Sequence, residues 1–361
     1  MSSTKPTRDG EASRDLKNDT TRGEQQELLP ATSKVHNRRA GQVVDFAARL
    51  AEQEQSRVRT EALIFARSIA LAALPKRPTK AKMLTRDLRL GRDLWLRVAY
   101  HTEQGADLPY GEDRFVLAAI QHLAISQGSP IVFFERVGAL LKMFGIAEGG
   151  NAIRLLRQRF KRLSALSITL SFATTEEDLE QENEREKMLV IRKHALPSRA
   201  DMRSADEGQM VLPMLPSDDD RHRAFGVELS RDFWELLQDQ QDHLIVPVDL
   251  LKLFVDCPTG WDYLCFLVAR CGRAQSQTVI DHDILMGLFK EGKESDRNTI
   301  SRLRRYHQLI MTATNGNLKA SLEEIGYFPK KPGQRGRRKK RWGLKVSPSR
   351  PIVFSGKKLV D

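Results

Sequence analysis

The stretch ERVGALLKMFGIAEGGNAIRLLRQRFKRL, residues 135–163, has the pattern of two short helices joined by a turn that contains glycine. Apolar residues recur in its first half at the spacing of one helix face: Val137, Leu140, Leu141 and Phe144. Gly145 follows where a helix commonly ends in a left-handed residue. We therefore predict a helix-turn-helix unit here, with its turn at residues 148–150.

The second predicted helix has an apolar face and an opposite polar face. The apolar face consists of Ile153, Leu156, Phe160 and Leu163. The candidate DNA-binding residues are Asn151, which is also the predicted N-cap, and Arg154, Arg157, Gln158, Lys161 and Arg162. A helix that is held by apolar residues and displays Arg and Gln suits reading of the major groove. A solvated basic face is the alternative, and this stretch alone does not separate the two.

The same order of elements recurs near the C-terminal end of the chain. Asp281 and Ser295 are predicted helix caps on either side of the turn KEGKE at 290–294. The second of these helices directs Ile300, Leu303 and Ile310 inward. Its candidate DNA-binding residues are Arg297, Asn298, Ser301, Arg302 and Arg305. Because the architecture occurs twice, a chance pattern is a weaker explanation than it is for one copy.

A pair of alternating segments follows each helix pair, at 166–172 with 187–194 and at 319–326 with 341–347. Three helices followed by a β-hairpin form the winged-helix plan. The predicted fold class is therefore α+β, predominantly helical, with two tandem winged-helix domains after a disordered N-terminal tail.

The two predicted wings carry opposite charge. The first, TTEEDLEQENERE at 174–186, is acidic and is expected to point away from DNA phosphates. The second, YFPKKPGQRGRRKK at 327–340, is basic. Its candidate DNA-binding residues are Arg335, Arg337, Arg338, Lys339 and Lys340, together with the following Arg341.

Composition and periodicity divide the rest of the chain. The predicted parts are a disordered polar tail at 1–41, a helical extension and basic linker at 42–82, a first winged-helix domain at 83–196, a linker at 197–224 and a second winged-helix domain at 225–361. The helix of the extension is predicted to reach residue 73. Another helix is predicted at 247–256, with Pro247 in its first turn.

The net charge is +12 and the pI is about 9.7, so a polyanionic partner is expected. No apolar run is long enough to span a membrane, and the N-terminal segment lacks a secretory signal. We therefore expect a cytoplasmic protein that binds no membrane. The three cysteines, Cys257, Cys265 and Cys271, fit no zinc spacing, and we expect them to be core residues in a reducing compartment.

The run from Gly105 to Ala165 resembles plasmid replication initiators of the RepA type. The matching features are the LPYG turn at 108–111, Arg114 before an apolar helix, Phe144–Gly145, the glycine-rich turn at 148–150 and the helix Arg154–Arg162. A second block at 231–270 also resembles this family, at Phe233, Pro247–Asp249 and Tyr263. The resemblance covers roughly residues 84–290.

This resemblance implies two winged-helix domains that bind repeated sites, usually direct repeats, in the double-stranded DNA of a plasmid origin. It also implies melting of nearby A·T-rich DNA and recruitment of the host initiator and the replicative helicase. The expected location is then the bacterial cytoplasm, on plasmid DNA or the nucleoid. Self-association is a further expectation that the residues leave open.

The chain has no phosphate-binding loop of the form GxxxxGK[ST]. The best candidate for a metal site is Asp281, His282 and Asp283, although adjacent residues at a helix start point in different directions and favour a cap. We therefore predict no enzymatic activity, no cofactor and no metal. Two alternatives remain, a winged-helix repressor, possibly of its own gene, that binds an inverted repeat as a dimer, and a metal-dependent nuclease or recombinase.

Overall fold

The computed structural model describes residues 61–89, 95–102, 106–134, 137–173, 187–194, 225–329, 339–350 and 352. The helices are α1 (Arg67–Ala72), α2 (Asp113–Gln127), α3 (Val137–Met143), α4 (Gly150–Ser164), α5 (Arg231–Gln238), α6 (Val248–Lys252), α7 (Pro258–Arg273), α8 (His282–Phe289) and α9 (Asp296–Ala313). The strands are β1 (Ala62–Ala66), β2 (Met83–Arg89), β3 (Trp95–Thr102), β4 (Ile131–Phe134), β5 (Leu166–Ala173), β6 (Lys187–His194), β7 (Phe225–Leu229), β8 (His243–Pro247), β9 (Thr278–Ile280), β10 (Ala320–Tyr327) and β11 (Lys340–Val346). The fold is α+β, as predicted.

The first winged-helix unit comprises α2, α3, α4 and the antiparallel pair β5–β6. Its hairpin belongs to a larger antiparallel sheet with the strand order β2-β3-β5-β6-β7-β4. Phe115 of α2, Leu141 of α3 and Leu156 of α4 are buried in the core of this unit. The helices therefore pack around one apolar centre, which fixes the position of α4.

The second winged-helix unit comprises α7, α8, α9 and a sheet with the order β10-β11-β9. In both units a short strand, β4 or β9, follows the first helix. In the second unit β9 pairs directly with β11. In the first unit β7 lies between β6 and β4 and pairs with both. The two units therefore share one order of elements, and in the first unit β7 is inserted between the hairpin and the short strand.

The pairing of β7 differs from the predicted division at residue 225. The sequence assigned β7 to the second domain, whereas its backbone hydrogen bonds join it to strands of the first unit. Strand pairing depends on residues that are remote in sequence, so the local pattern of 225–229 predicts a strand without its partners. The other domain limits remain predictions.

The helix predicted through residue 73 is wrong for residues 62–66. These residues form β1, which pairs with β8 along its whole length. Leu63 and Phe65 are buried on one face of β1, and the helix α1 begins only at Arg67. The helix predicted at 247–256 is shorter than expected, because α6 ends at Lys252 and Pro247 is its N-cap.

Most other predicted elements are confirmed. The structure contains both predicted helix-turn-helix units, α3–α4 and α8–α9, and both hairpin strand pairs. The three cysteines are buried and free, as expected. The polar tail 1–41, the acidic wing segment 174–186 and the linker 197–224 lie outside the described residues. Within the described stretches, no helix combines the length and hydrophobicity needed to cross a membrane.

Candidate nucleic-acid interface

The first helix-turn-helix unit holds α4 by its apolar face. Four side chains of α4 are almost fully buried: Ile153, Leu156, Phe160 and Leu163. The chain leaves α3 through Gly145, whose φ of +68° is in the left-handed region that favours glycine. A Cβ at Gly138 in α3 would first meet the carboxylate of Glu148, which is the far end of an exposed side chain and can move aside. Gly145 therefore allows the tight connection between α3 and α4.

The opposite face of α4 presents four exposed polar residues at helical spacing. These are Asn151, Arg154, Gln158 and Lys161. Asn151 is not the N-cap, because α4 begins at Gly150 and its N-cap is Gly149. Instead the amide oxygen of Asn151 accepts a hydrogen bond of 2.9 Å from Nη2 of Arg154. The helix therefore starts two residues earlier than the side-chain pattern predicted.

The remaining arginines of α4 lie towards the body of the unit. Arg162 donates two hydrogen bonds of 2.7 Å to Asp113, whose carboxylate is fully buried. Arg159 forms an ion pair with Glu112, and its guanidinium lies 4.9 Å from the ring centroid of Phe115. Arg157 is half-buried. Arg162 is thus engaged in packing α4 onto α2, and its role as a DNA contact stays a prediction.

The second recognition helix, α9, is built in the same way. Ile300, Leu303 and Ile310 are buried, and Ser295 Oγ accepts a 3.3 Å hydrogen bond from the backbone N–H of Asn298. The exposed residues of its outer face are Arg297, Asn298, Ser301, Arg304 and Arg305.

Arg304 was missed by the sequence reasoning. Its guanidinium lies over the Trp342 ring, 4.2 Å from the centroid, so the side chain is held between α9 and β11. Its position three residues after Ser301 was the available signal.

Arg302 has a structural position that the sequence did not predict. Its guanidinium donates hydrogen bonds to Glu291 at 2.6 Å, to Glu294 at 2.8 Å and to the backbone oxygen of Phe289 at 2.8 Å. These contacts close the turn between α8 and α9. Arg302 therefore fixes the start of α9, and its role as a DNA contact stays a prediction.

The basic residues at the base of the second wing are paired with carboxylates. Lys340 forms an ion pair of 2.7 Å with Glu324, and Arg341 pairs with Asp281. Lys345 pairs with Glu323 on the same hairpin. Lys339 is exposed. The wing positions Arg335, Arg337 and Arg338 lie outside the described residues.

The predicted metal candidate forms a cap and a core contact. Asp281 caps α8, and the ring of His282 is buried with its centroid 5.0 Å from that of Phe328. The backbone N–H of Trp342 donates a 3.3 Å hydrogen bond to Nδ1 of His282. In the part of the chain that the structure describes, no group of three or more His, Cys, Asp or Glu side chains could hold a metal ion.

Two helix-turn-helix units, each followed by a β-hairpin, define a tandem winged-helix protein. The chain is similar in fold to two crystal structures of domains 2 and 3 of RctB. One matches with a TM-score of 0.45 and 14% sequence identity, covering 78% of this chain and 97% of that chain. The other, a SeMet derivative, matches with a TM-score of 0.47 and 13% identity, covering 78% of this chain and 96% of that chain. No protein-family model and no curated protein matches the chain.

Proposed function

We propose that this protein binds repeated sites in the double-stranded DNA of a plasmid origin and initiates plasmid replication there. The observation that carries the proposal is the presence of two candidate recognition helices, α4 and α9. The apolar side chains on one face of each helix are buried in the core, and the opposite face exposes Arg together with Gln, Asn or Ser. The resemblance of roughly residues 84–290 to RepA-type initiators supports an origin as the target.

The exposed side chains suit direct reading of base edges in the major groove. Arg pairs with the two acceptors of guanine, and Gln or Asn pairs with the donor and acceptor of adenine. Arg154 and Gln158 are one helical turn apart on α4, so they can address neighbouring base pairs. The net charge of +12 favours approach to the phosphate backbone.

A nuclease-protection footprint on the plasmid that carries the gene tests this proposal. We expect protection of directly repeated sites, and loss of protection with Arg154→Ala combined with Gln158→Ala. Arg231→Ala is the matched control, because Arg231 is an exposed helix arginine of α5 outside both recognition helices. Protection of a single inverted repeat by a dimer would favour the repressor alternative.

The replication step needs its own measurement. Binding of the protein is expected to make nearby A·T-rich DNA reactive to permanganate, which reports unpaired thymines. Recruitment of the host initiator and the replicative helicase is expected as retention of these purified proteins on protein-bound origin DNA. Site-specific binding without either effect would limit the function to repression.

A further inference from the structure

The two winged-helix units are joined by a buried ion pair between their first helices. Nε of Arg114 in α2 lies 3.0 Å from Oδ1 of Asp262 in α7, and both side chains are more than nine-tenths buried. Nη2 of Arg114 also donates a 2.7 Å hydrogen bond to the backbone oxygen of Leu74. An apolar contact lies alongside, where the ring centroids of Phe144 and Trp261 are 6.0 Å apart.

The segment Leu74–Lys76, which the sequence predicted to end a helical extension and begin a linker, crosses this junction. Leu74 and Pro75 are buried, and the oxygen of Pro75 accepts a 2.9 Å hydrogen bond from the N–H of Gly111. Nζ of Lys76 donates a 2.8 Å hydrogen bond to the oxygen of Phe289, the last residue of α8, and lies 3.7 Å from Glu291. We call this segment the strap. It contacts both winged-helix units.

These contacts extend to both recognition helices. Asp113, the neighbour of Arg114 on α2, binds Arg162 of α4. In the second unit, the backbone oxygen of Phe289 accepts a hydrogen bond from Lys76, and the carboxylate of Glu291 forms an ion pair with Lys76. Both groups also accept hydrogen bonds from Arg302 of α9. An arginine of each recognition helix, Arg162 of α4 or Arg302 of α9, therefore hydrogen-bonds to a residue that is part of the junction or next to it in the chain.

The energetics of the junction oppose a hinge at this point. Separation of the two units at this point would break the Arg114–Asp262 ion pair, the hydrogen bond from Arg114 to Leu74 and the contact between the rings of Phe144 and Trp261. Rotation of one unit against the other would also break the backbone contacts of the strap.

We propose that Arg114, Asp262 and Lys76 are positioning residues that hold α4 and α9 in one fixed relation, so that the protein accepts two DNA segments at only one spacing and one helical phase. This inference rests on the proposed DNA binding. Two modules that engage together gain affinity through their connection, and this gain is lost when the geometry prevents simultaneous engagement. With a rigid junction, affinity falls sharply when the spacing or the helical phase of the two DNA segments changes.

The DNA test uses duplexes selected by the full chain from a randomised pool and then lengthened between the two protected segments. An insertion of about 5 bp turns one segment to the opposite side of the helix, and about 10 bp restores its side. For the native protein we expect the half-turn insertion to lower affinity roughly 100-fold. For Arg114→Ala with Asp262→Ala, which removes the ion pair and leaves a cavity between α2 and α7, we expect a loss below about tenfold.

A second measurement does not require DNA. Spin labels on Gln158→Cys and Arg305→Cys report the distance between the exposed faces of α4 and α9, while the native cysteines are buried. We expect a narrow distance distribution in the native background and a broad one when the Arg114–Asp262 pair is replaced. Arg97→Ala with Asp87→Ala is the matched control, because it removes an ion pair of the β2–β3 hairpin.

Lys76→Met, which keeps the length of the side chain, is the second variant if the double substitution does not fold. Unchanged distance distributions and unchanged spacing penalties in the folded variants would overturn the rigid junction. If the native protein selects no two-segment DNA, the proposed function fails, whereas the spin-label distances still decide whether the junction is rigid.

Discussion

Arg162 donates hydrogen bonds from Nε and Nη2 to the two carboxylate oxygens of Asp113, each 2.7 Å long, and so joins the last turn of α4 to the first turn of α2. The carboxylate of Asp113 is fully buried, whereas Lys161, one position earlier on α4, is exposed. Two adjacent basic residues of one recognition helix therefore have different environments. Arg162 holds α4 against α2, whereas the side chain of Lys161 is exposed to solvent.

We predict that Arg162→Ala lowers stability more than it alters DNA specificity. The substitution leaves a buried carboxylate without its main partner, which costs about 3 kcal/mol. Lys161→Ala is the matched control and should change stability by less than about 0.5 kcal/mol while weakening DNA binding. Thermal unfolding and binding isotherms on both variants check this. Equal melting temperatures for the two variants would contradict the structural assignment of Arg162.

We predict that Gln158→Ala relaxes specificity at one base pair. An amide pairing with adenine contributes about 1–3 kcal/mol of discrimination, and Gln158 is exposed on the outer face of α4. Competition with duplexes that carry a substitution at each position of the site measures the change. A uniform loss of affinity for all duplexes, specific and nonspecific alike, would identify Gln158 as a phosphate contact instead.

We predict that Phe160→Ala destabilises the fold by about 3–5 kcal/mol, because the ring is almost fully buried beneath α4 and its removal leaves a cavity. Gln158→Ala, two positions earlier on the exposed face, is the control for a loss of helix side chain without a cavity. Chemical denaturation of the two variants gives the difference. A midpoint for Phe160→Ala that equals the midpoint of the control would show that the ring adds nothing to the core.

The strap predicts a pH dependence of stability. Burial lowers the pKa of Lys76 from its ordinary value of 10.5 to about 8 in the folded protein. Between these values the unfolded chain binds more protons at Lys76 than the folded chain does. The free energy of unfolding therefore rises as pH increases through this window, by up to about 3 kcal/mol from this group.

Comparison of the native protein with Lys76→Met isolates this effect. Urea denaturation from about pH 7.5 to about pH 9.5 should show a stability difference between the two proteins that changes with pH. The methionine variant should be the more stable relative to the native protein at the low end of the range, where the native lysine is charged. Parallel curves would mean that Lys76 keeps an ordinary pKa when folded.

The second wing predicts a change in salt dependence. Replacing Arg335, Arg337, Arg338 and Lys339 together with Gln should flatten the slope of log affinity against log salt by up to about 3–4 units, with base preference largely kept. Lys340→Gln with Lys345→Gln is the control, because both lysines are paired with carboxylates of the hairpin. A larger slope change in the control would place the phosphate contact at the base of the wing.

Deletion of residues 176–184 tests the acidic first wing in the same assay. Its carboxylates are expected to avoid phosphates, so the salt slope should stay nearly unchanged. If the acidic deletion alters the slope more than the basic substitutions do, the roles assigned to the two wings are reversed.

The sequence alone determined the elements whose signals are local. The apolar spacing of Ile153, Leu156 and Phe160 and the caps Asp281 and Ser295 depend on residues within one or two helical turns. Such signals predicted both helix-turn-helix units and both hairpin strand pairs, and with them the α+β fold. The exposed faces of α4 and α9 followed from the same periodicity.

Only the tertiary structure decided which strands pair and which charges are engaged. The pairing of β1 with β8 and the place of β7 between β6 and β4 depend on remote segments, and the helix predicted over 62–66 failed for this reason. Arg162 and its partner Asp113 are 49 residues apart, and local spacing shows a basic side chain without its distant carboxylate. The sequence predicted the strap as the end of a helix and the start of a basic linker. In the structure the backbone of Leu74–Lys76 contacts both units, and this position depends on tertiary packing that no local pattern encodes.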